Sequence, residues 1–522
     1  MQHNLRRAGL FLHVCALLLA LCLLPQSLLA GCDGLGGSGG DCGVVVPPSG
    51  VVIVPATFPD GSPVTSIAPR AFAGNGLITS IIMPDSVTNI GLGAFYNCYS
   101  LTNVAMGNGL VGIGENAFFG CSALPSVSIP KSTVTIGKGA FVGCSSLRAF
   151  TVDPLNTSYA SADGVLFTKD MTGLLQYPQY KSGNYVIPGS VVVIAEAAFS
   201  GCNLLGSVAM SDGVEKIGDS AFASCYSLVA VTLSQALTSI GNAVFQQCYA
   251  LHYITIPQNV ASIGDEAFDR CQTLTNITIP NAVTNVGYRA FYGCSGLGTI
   301  TIPASVLTIG VQAFSSCTSL TAISVDALNP AYSSVDGVLF DKGRSILIKC
   351  PDSKAGEYTI PPGVVSIAPN ALQGTKLTFV TVPASVSSVS DFAFVGIGLV
   401  RFEGNAPSGI LPFGYFPGGS LVYYLPGTSG WQTYWGGAPT SPWPSTQPAI
   451  LTLPPNFGLL NNQFRFRISW ATNATVVVEA CSNLAAPDWA PVSTNVLSNG
   501  WSDFSDPQWA NFSSRVYRVR TQ

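Results

Sequence analysis

The stretch Ile240 to Pro257, IGNAVFQQCYALHYITIP, returns along the chain with unchanged spacing. It reappears as IGDEAFDRCQTLTNITIP from Ile263 and as IGVQAFSSCTSLTAISVD from Ile309. Its first residue, position 0 of the repeat, recurs mostly every 23 residues, with two steps of 58 and a last step of 22. A fixed period of this length predicts a solenoid of stacked coils. The residues at position 0 are Ile67, Ile90, Ile113, Ile136, Ile194, Ile217, Ile240, Ile263, Val286, Ile309, Ile367 and Val389.

Within each repeat the apolar residues keep fixed positions. Position +5 is phenylalanine in every repeat except that of Ile367, position +8 is often cysteine, position +11 is usually leucine, and positions +14 and +16 are aliphatic or similar. The alternation at +14 and +16 predicts a short β-strand, and the proline that often follows would end it by removing a hydrogen-bond donor. The AF-x-x-C segment is too short for an independent helix and predicts one helical turn. Because a single unit cannot bury its apolar stripe, neighbouring units must stack.

The complete pattern, I-G-x-x-A-F-x-x-C-x-x-L-x-x-I-x-I-P-x-x-V, resembles the leucine-rich repeats of the bacterial surface-antigen type, the BspA-like class. The resemblance covers residues 51–402. It implies an α/β repeat solenoid, rich in β-structure with short helical turns. It also implies a role in adhesion or in contact with a host or matrix.

The N-terminus has the layout of an export signal. Arg6 and Arg7 precede an apolar run from Ala8 to Leu24, and small residues follow. The sequence Leu-Ala-Gly-Cys ending at Cys32 is similar to the lipobox of bacterial lipoproteins, which implies a signal peptide over 1–31 and a lipid-modified Cys32. An ordinary cleaved signal and an anchor helix are the alternatives. Residues 32–50 are rich in Gly, Ser and Pro and predict a flexible tether.

Two longer segments, 152–190 and 325–363, interrupt the regular period. Each contains an Asp-Gly pair between apolar runs, at Asp163-Gly164 and at Asp336-Gly337, which predicts a hairpin turn. Each segment is therefore predicted to be an enlarged coil with an added hairpin. The pair could form binding protrusions, but their near-identical spacing favours a structural variant of the coil.

Composition changes after the last repeat, and all seven tryptophans lie there. Residues 403–448 are rich in Gly, Pro and aromatic residues and predict a cap and linker, since the end of a solenoid must be covered. Residues 449–522 contain short alternating segments such as FRFRISW and TVVVEAC, which predict a small all-β, sandwich-like domain. This tail resembles the C-terminal β-module of large secreted bacterial proteins.

Charge is sparse. Charged residues make up 9% of the chain against roughly 25% in typical domains. The formal net charge is −4, and no basic patch interrupts the sequence, so nucleic-acid binding has no electrostatic basis. No long apolar run follows Leu24.

The cysteines at position +8 form a second regular feature. Adjacent coils would bring them within reach of disulfide formation, but bridges would twist a regular stack, and their number is odd. A ladder of buried thiols is the favoured interpretation, and one ligand per coil in a line does not make a tetrahedral metal site. The nine residues are Cys98, Cys121, Cys144, Cys202, Cys225, Cys248, Cys271, Cys294 and Cys317.

No set of residues predicts an enzyme, a cofactor or a metal site. His252 is the one histidine after the signal segment, and no nucleophile motif accompanies it. Asp265, Glu266 and Asp269 could in principle hydrolyse a glycoside as paired acids, but they occupy variable positions of the repeat.

The predicted strands carry a hydroxyl residue between their two aliphatic positions, with polar or aromatic neighbours. This row predicts a face for a protein or glycan ligand; the alternative is that threonine simply suits a half-exposed strand. The candidate residues are Thr232, Tyr253, Thr255, Asn276, Thr278, Thr299 and Thr301. We therefore predict a lipid-anchored surface protein that binds a protein or glycan without covalent chemistry. The alternative is a structural envelope protein that displays its C-terminal domain.

Overall fold

The computed structural model describes residues 50–58, 60–415, 419–424, 428–443, 448–451, 457–460, 463–470, 473–498 and 501–522. The predicted signal segment, Cys32 and the predicted tether up to residue 49 lie outside this part of the chain. The described residues fall into two compact units. The first comprises residues up to Gly296 together with Thr308–Ala313, and the second comprises Leu297–Leu307 together with residues from Phe314 onward.

All but one of the regular coils contribute two strands to parallel sheets. One is the predicted strand around positions +13 to +16, and the other is a two-residue strand at positions −1 and 0 that the sequence did not predict. The two-residue strands of the first unit are Ser66–Ile67, Asn89–Ile90, Gly112–Ile113 and Thr135–Ile136 in one sheet, Val193–Ile194 and Lys216–Ile217 in a second, and Ser239–Ile240, Ser262–Ile263, Asn285–Val286 and Thr308–Ile309 in a third.

The longer strands of the first unit form three further parallel sheets. They are Val51–Ile53, Ser80–Ile82 and Asn103–Ala105; Ser126–Ile129 and Ala149–Val152; and Gly183–Val186, Leu205–Ala209, Ala230–Thr232 and Tyr253–Ile254. The strand predicted in the coil of Ile263 does not form: residues 275–279 belong to no strand, although Ile277 and Ile279 are buried. Burial of the two apolar side chains therefore holds this segment against the core, while the coil still pairs through Ser262–Ile263.

The predicted helical turn is a run of tight turns, and the only helix among the described residues is the 3-10 helix Trp509–Asn511. Hydrogen bonds from Ala94 N–H to Gly91 and from Tyr96 N–H to Gly93 close two such turns. Helix propagation is blocked because positions +3 and +7 adopt positive φ in every coil, as at Ala243 (52°) and Gln247 (58°). In this conformation their N–H groups bond to the next coil: Ala243 donates to the Asp265 carbonyl at 2.8 Å and Gln247 to that of Asp269 at 2.7 Å.

Phenylalanine and cysteine ladders fill the interior of the coils. Phe199, Phe222 and Phe245 are fully buried and stack on one another with ring centroids 4.7 and 5.5 Å apart. The cysteines are buried free thiols, in agreement with the prediction. The Cys225 thiol donates to the Phe199 carbonyl of the preceding coil at 3.0 Å, and the same contact recurs in neighbouring coils.

The first insertion is an enlarged coil with an antiparallel hairpin, as predicted. Its strands Tyr159–Ala162 and Val165–Thr168 meet at Asp163 and Gly164, and Gly173–Gln176 returns the chain to pair in parallel with Val193–Ile194. Asn156 is buried with both polar atoms satisfied: its amide donates to the Pro130 and Thr133 carbonyls, and its oxygen accepts from the next turn. Such contacts favour the structural interpretation of the insertion over a binding protrusion.

The second unit repeats this plan and adds strands beyond the last predicted repeat. Leu421–Tyr424 and Ala438–Pro442, both within the segment predicted as cap and linker, continue a parallel sheet. Trp435 is buried there and donates to the Pro407 carbonyl at 2.9 Å. The sheets comprise Thr299–Ile302 and Ala322–Val325; Tyr332–Val335, Val338–Asp341, Ile346–Lys349, Ser366–Ile367 and Ser388–Val389; and Ala355–Thr359, Lys376–Val382, Leu399–Phe402, Leu421–Tyr424, Ala438–Pro442 and Tyr434–Trp435.

The C-terminal residues form two small antiparallel sheets around a separate core. One sheet contains Ala449–Leu451, Phe457–Leu460, Gln463–Ser469 and Trp501–Asp506, and the other contains Ala474–Cys481, Ala490–Leu497 and Val516–Thr521. Phe466, Ile468, Val476, Val478 and Phe504 belong to this core. The predicted fold class, a leucine-rich-repeat solenoid followed by a small all-β region, is confirmed.

Candidate functional site

Every residue of the predicted ligand face is exposed. Thr232, Tyr253, Thr255, Asn276 and Thr278 lie in the first unit, and Thr299 and Thr301 lie in the second. In the first unit, Ala230–Thr232 pairs in parallel with Tyr253–Ile254, with Ala230 opposite Tyr253. In the second unit, Thr301 lies opposite Ser324 in the adjacent strand.

The side chains of this face are not used to hold the coils together. Within the described residues, the hydroxyls of Thr232, Tyr253, Thr255 and Thr278 make no hydrogen bond, and Asn276 contacts only the neighbouring Thr275 at 3.5 Å. Their donors and acceptors are therefore available to a ligand.

Hydroxyls elsewhere on the coils are committed to the fold. Thr102 and Thr284 each donate to a carbonyl of the preceding coil, at 2.9 and 3.3 Å. In an earlier coil of the same strand series, Ser128 and Thr151 bond to each other at 2.8 Å. Threonines on these coils therefore fall into two groups: those whose hydroxyl bonds to another coil and those whose hydroxyl is free within the described residues. Strand propensity alone does not distinguish the two groups.

The face in the first unit carries no charge. From the coil of Ile194 to that of Ile263, positions +13 and +15 hold only neutral residues: Ser207, Ala209, Ala230, Thr232, Tyr253, Thr255, Asn276 and Thr278. A ligand here would be recognised through hydrogen bonds and apolar contact, since no charge is present to attract an ion.

Two tyrosines in the coils that carry the face, Tyr226 and Tyr249, were not singled out from the sequence. Tyr226 and Tyr249, at position +9 of adjacent coils, stack with ring centroids 5.0 Å apart. His252 packs edge-on against Tyr253 at 4.2 Å, and its Nδ1 lies 2.8 Å from the Thr273 carbonyl oxygen. The tyrosines recur exactly one period apart, a signal that the sequence contained.

The carboxylates considered for catalysis have structural partners. Asp265 accepts the Tyr288 backbone N–H at 2.7 Å, one coil on, and Glu266 accepts from the Gln246 amide at 2.5 Å. Asp269 is buried, and burial raises the pKa of its carboxyl. Within the described part of the chain, no three His, Cys, Asp or Glu residues form a group that could hold a metal ion.

Two predicted features concern the membrane. Cys32, the predicted lipidation site, lies outside the described residues. Among those that are described, no helix is both long and apolar enough to cross a bilayer.

The repeat, its coil geometry and the buried ladders define a leucine-rich-repeat solenoid. A family profile, the BspA type leucine rich repeat region, matches residues 57–162, 177–297, 238–335 and 350–408 in six copies. These ranges cover more than half of the sequence, so the chain belongs to the BspA-type leucine-rich repeat family.

Solved structures of bacterial leucine-rich repeat proteins resemble the chain. A leucine rich cell surface protein of Faecalibacterium prausnitzii A2-165 shares 26% identity over 54% of this chain and 89% of its own, with a TM-score of 0.32. The pneumococcal vaccine antigen PcpA shares 24% over 64% and 74%, with a TM-score of 0.43. A protein of Bacteroides ovatus ATCC 8483 shares 22% over 72% and 92%, with a TM-score of 0.34. No curated protein sequence gave a significant match, so the family assignment rests on the repeat profile.

Proposed function

We propose that the chain is an adhesion-type binding protein whose ligand contacts the uncharged hydroxyl face of the first unit. The observation that carries the proposal is that Thr232, Thr255 and Thr278 are exposed and that their side-chain hydroxyls make no hydrogen bond within the described residues. Binding there would satisfy these hydroxyls without disturbing the coil-to-coil hydrogen bonds.

A neutral, hydroxyl-rich ligand fits this face best. Glycans present many hydroxyl groups and apolar ring faces, and the exposed Tyr253 offers a flat aromatic surface beside the threonines. A protein ligand would have to bury an uncharged polar patch of its own. No residue of the face supplies an acid, a base or a nucleophile, so we propose binding without chemistry.

The test is binding of the full-length protein to a glycan array and to a panel of extracellular-matrix proteins. The face variant Thr232→Lys/Thr255→Lys/Thr278→Lys places long charged side chains on the surface and should abolish a saturable signal. Thr284→Lys is the matched control, because Thr284 is an exposed threonine whose hydroxyl is already bonded to a backbone carbonyl. If no ligand binds saturably, or if both variants lose the binding signal equally, the proposal is wrong and the structural role, display of the C-terminal domain, is favoured.

Membrane attachment through Cys32 is a separate proposal, supported by the Leu-Ala-Gly-Cys sequence. Acyl chains on Cys32 would hold the protein at a membrane, because each buried methylene contributes about 0.8 kcal/mol. Metabolic labelling with a radioactive fatty acid should mark the protein, and Cys32→Ala should remove the label. Labelling that persists in Cys32→Ala would contradict the proposal.

A further inference from the structure

The first insertion interrupts the stacking of coils at one defined place. In a regular coil the N–H of position +3 bonds to the carbonyl of position +2 one coil on, as from Asn116 to Lys138 at 3.0 Å. The N–H of position +5 bonds to the carbonyl of position +4 one coil on, as from Phe118 to Ala140 at 2.8 Å. The coil of Ile136 would continue both series through Gly139 and Phe141.

An abbreviated coil follows the coil of Ile136. Leu174 pairs with Ile194 and so occupies position 0, while Tyr177 takes the place of the phenylalanine at +5. The Tyr177 N–H bonds to the Ala198 carbonyl at 2.7 Å, and its ring stacks on Phe199 at 4.9 Å. Only two residues separate Leu174 from Tyr177, where a regular coil has four. The abbreviated coil therefore lacks two residues of the turn.

A cleft of about 300 Å³ opens where those two residues are missing. One wall is the turn of the preceding coil with Gly139 and Phe141, and the opposite wall is Ala195 and Glu196. Leu166, Leu175 and Gln176 also line the cleft. The volume lies at the lower end of the range of ligand sites in proteins.

The two walls carry complementary backbone groups without partners. Within the described residues, the N–H groups of Gly139 and Phe141 donate no hydrogen bond, and the Glu196 carbonyl accepts none. In regular coils each of these groups bonds to the adjacent coil. Phe141 is buried, Gly139 is half-buried and Glu196 is exposed. The donors on one wall face an acceptor on the other, so the cleft favours a ligand that supplies both an acceptor and a donor.

We propose that this cleft binds an extended peptide segment, two residues of which take the place of the missing turn. A peptide carbonyl would accept from the Gly139 or Phe141 N–H, and a peptide N–H would donate to the Glu196 carbonyl. The apolar side chains of Leu166 and Leu175 select small, uncharged side chains in the peptide. The recognition resembles the addition of a strand to a sheet edge, because the backbone supplies the hydrogen bonds.

A surface ion pair spans the two walls. Lys138 Nζ lies 2.7 Å from Glu196 Oε1, and the two side chains are 60% and 39% exposed. An ion pair with this exposure contributes little free energy. The pair can therefore separate to admit a peptide at small cost.

The direct test follows the backbone amide of Phe141 by NMR in full-length protein labelled with ¹⁵N-phenylalanine, its signal assigned through Phe141→Leu. The probe is N-acetyl-alanyl-alanine methylamide. We expect a saturable shift of the Phe141 signal. A probe methylated on all three of its amide nitrogens has no N–H to donate to Glu196 and should bind about tenfold more weakly, the equivalent of one hydrogen bond.

Two variants fill the cleft: Leu175→Trp and Ala195→Leu. Either should abolish the shift while leaving thermal unfolding cooperative. Ile348→Trp is the matched control, because Ile348 stands at the equivalent position of the second insertion, 173 residues later. No shift in the native protein, equal binding of the methylated probe, or a shift that survives in a folded cleft variant would overturn the proposal. The face variant used to test glycan binding leaves this cleft unchanged, so the two proposals fail separately.

Discussion

The glycine at position +1 shows how tightly the coils approach one another. A Cβ placed on Gly287 would lie 2.5 Å from the backbone carbon of Gly264 and 2.5 Å from the backbone nitrogen of Asp265, both in the preceding coil. The Gly287 N–H also bonds to the Ile263 carbonyl at 2.9 Å. A side chain in place of Gly287 would push the coils of Ile263 and Val286 apart.

We expect Gly287→Ala to lower the free energy of unfolding by about 1–3 kcal/mol, the usual cost of overpacking. Gly189→Ala is the control, since a Cβ on Gly189 meets no atom within 4 Å. Chemical denaturation followed by circular dichroism would measure both. Equal stability of the two variants would show that the coils separate without cost at this point.

Where an alanine has a positive φ, the reverse substitution, alanine to glycine, should not destabilise the protein. Ala243 has φ of 52°, a conformation that costs a residue with a Cβ roughly 1–2 kcal/mol. Ala243→Gly should therefore leave stability unchanged or raise it by up to about 1 kcal/mol, because relief of the strain exceeds the added entropy of the unfolded glycine.

The control for Ala243→Gly is Ala250→Gly, in the same coil. Ala250 is also half-buried but has no positive φ, so the glycine should be destabilising there. A loss of stability in Ala243→Gly as large as in Ala250→Gly would contradict the assigned turn conformation. Thermal unfolding of the two variants decides between the outcomes.

At the scale of the element, the two insertions use different side chains to bond to the equivalent backbone carbonyl of the next coil. In the first, the Gln179 amide donates to the Ser200 carbonyl. In the second, Lys349 donates to the equivalent Gln373 carbonyl at 2.9 Å and pairs with the fully buried Asp352 at 2.6 Å. Burial raises the pKa of the Asp352 carboxyl, which reflects the cost of holding a charge there.

Asp352→Asn should destabilise the second unit by about 3–5 kcal/mol, because it leaves the Lys349 ammonium buried without its counter-charge. Lys349→Gln/Asp352→Gln copies the residues found at the same places of the first insertion, Gln176 and Gln179. We expect the double variant to recover most of the loss in urea unfolding. A double variant less stable than Asp352→Asn would show that the insertions are not interchangeable.

The C-terminal domain offers an acid-sensitive contact. Arg520 and Arg518 each donate to the Glu479 carboxylate at 2.7 Å and hold the pKa of that carboxyl below its usual range. A lowered pKa means that the folded state binds fewer protons, so the stabilisation is present above the ordinary glutamate pKa and is lost as the pH falls through the folded-state value.

We therefore expect acid to weaken the C-terminal domain, with the loss beginning below the ordinary glutamate pKa. The Arg518 guanidinium lies 4.3 Å from the Trp489 ring centre, so tryptophan fluorescence should report the change. Glu479→Gln should remove this part of the pH dependence. If the acid transition of Glu479→Gln has the same midpoint and steepness as that of the native protein, other groups cause the acid sensitivity.

At the scale of the whole molecule, the buried cysteines of many coils should share one property, a low reactivity of their thiols. Burial raises the pKa of the Cys98 thiol to about 11 and that of Cys144 to about 12. With a pKa near 11, only about one thiol in a thousand is ionised at pH 8, and the thiolate is the reactive form.

The ladder thiols should therefore resist a thiol reagent at pH 8 in the folded protein and react together when denaturant unfolds the coils. Cys481 in the C-terminal domain is separate from the ladder and serves as an internal comparison. Colorimetric titration of thiols against denaturant would measure the release. Rapid labelling of the folded ladder would mean that the coils open locally.

The sequence by itself determined the solenoid, because the same residue types recur at the same positions of a repeat of nearly constant length. The phenylalanine at +5 and the cysteine at +8 are buried in coil after coil, and the Asp-Gly pairs form the predicted hairpins. These features depend on residues within one repeat or on its exact copies. The same spacing carries the resemblance to the repeat family, which the family profile then matches.

Only the tertiary structure decided what each polar residue does. Two residues at positions −1 and 0 are too short a segment to signal a strand, and their pairing appears only when coils stack. Threonines of identical propensity differ because Thr284 finds a carbonyl across the coil boundary and Thr255 does not. The cleft beside Gly139 exists because the abbreviated coil lacks two residues of the turn. The two coils on either side of it begin at Ile136 and Ile194, 58 residues apart in the chain. Such contacts between coils have no signature within a single repeat, since the partner that completes or omits each hydrogen bond lies in another one.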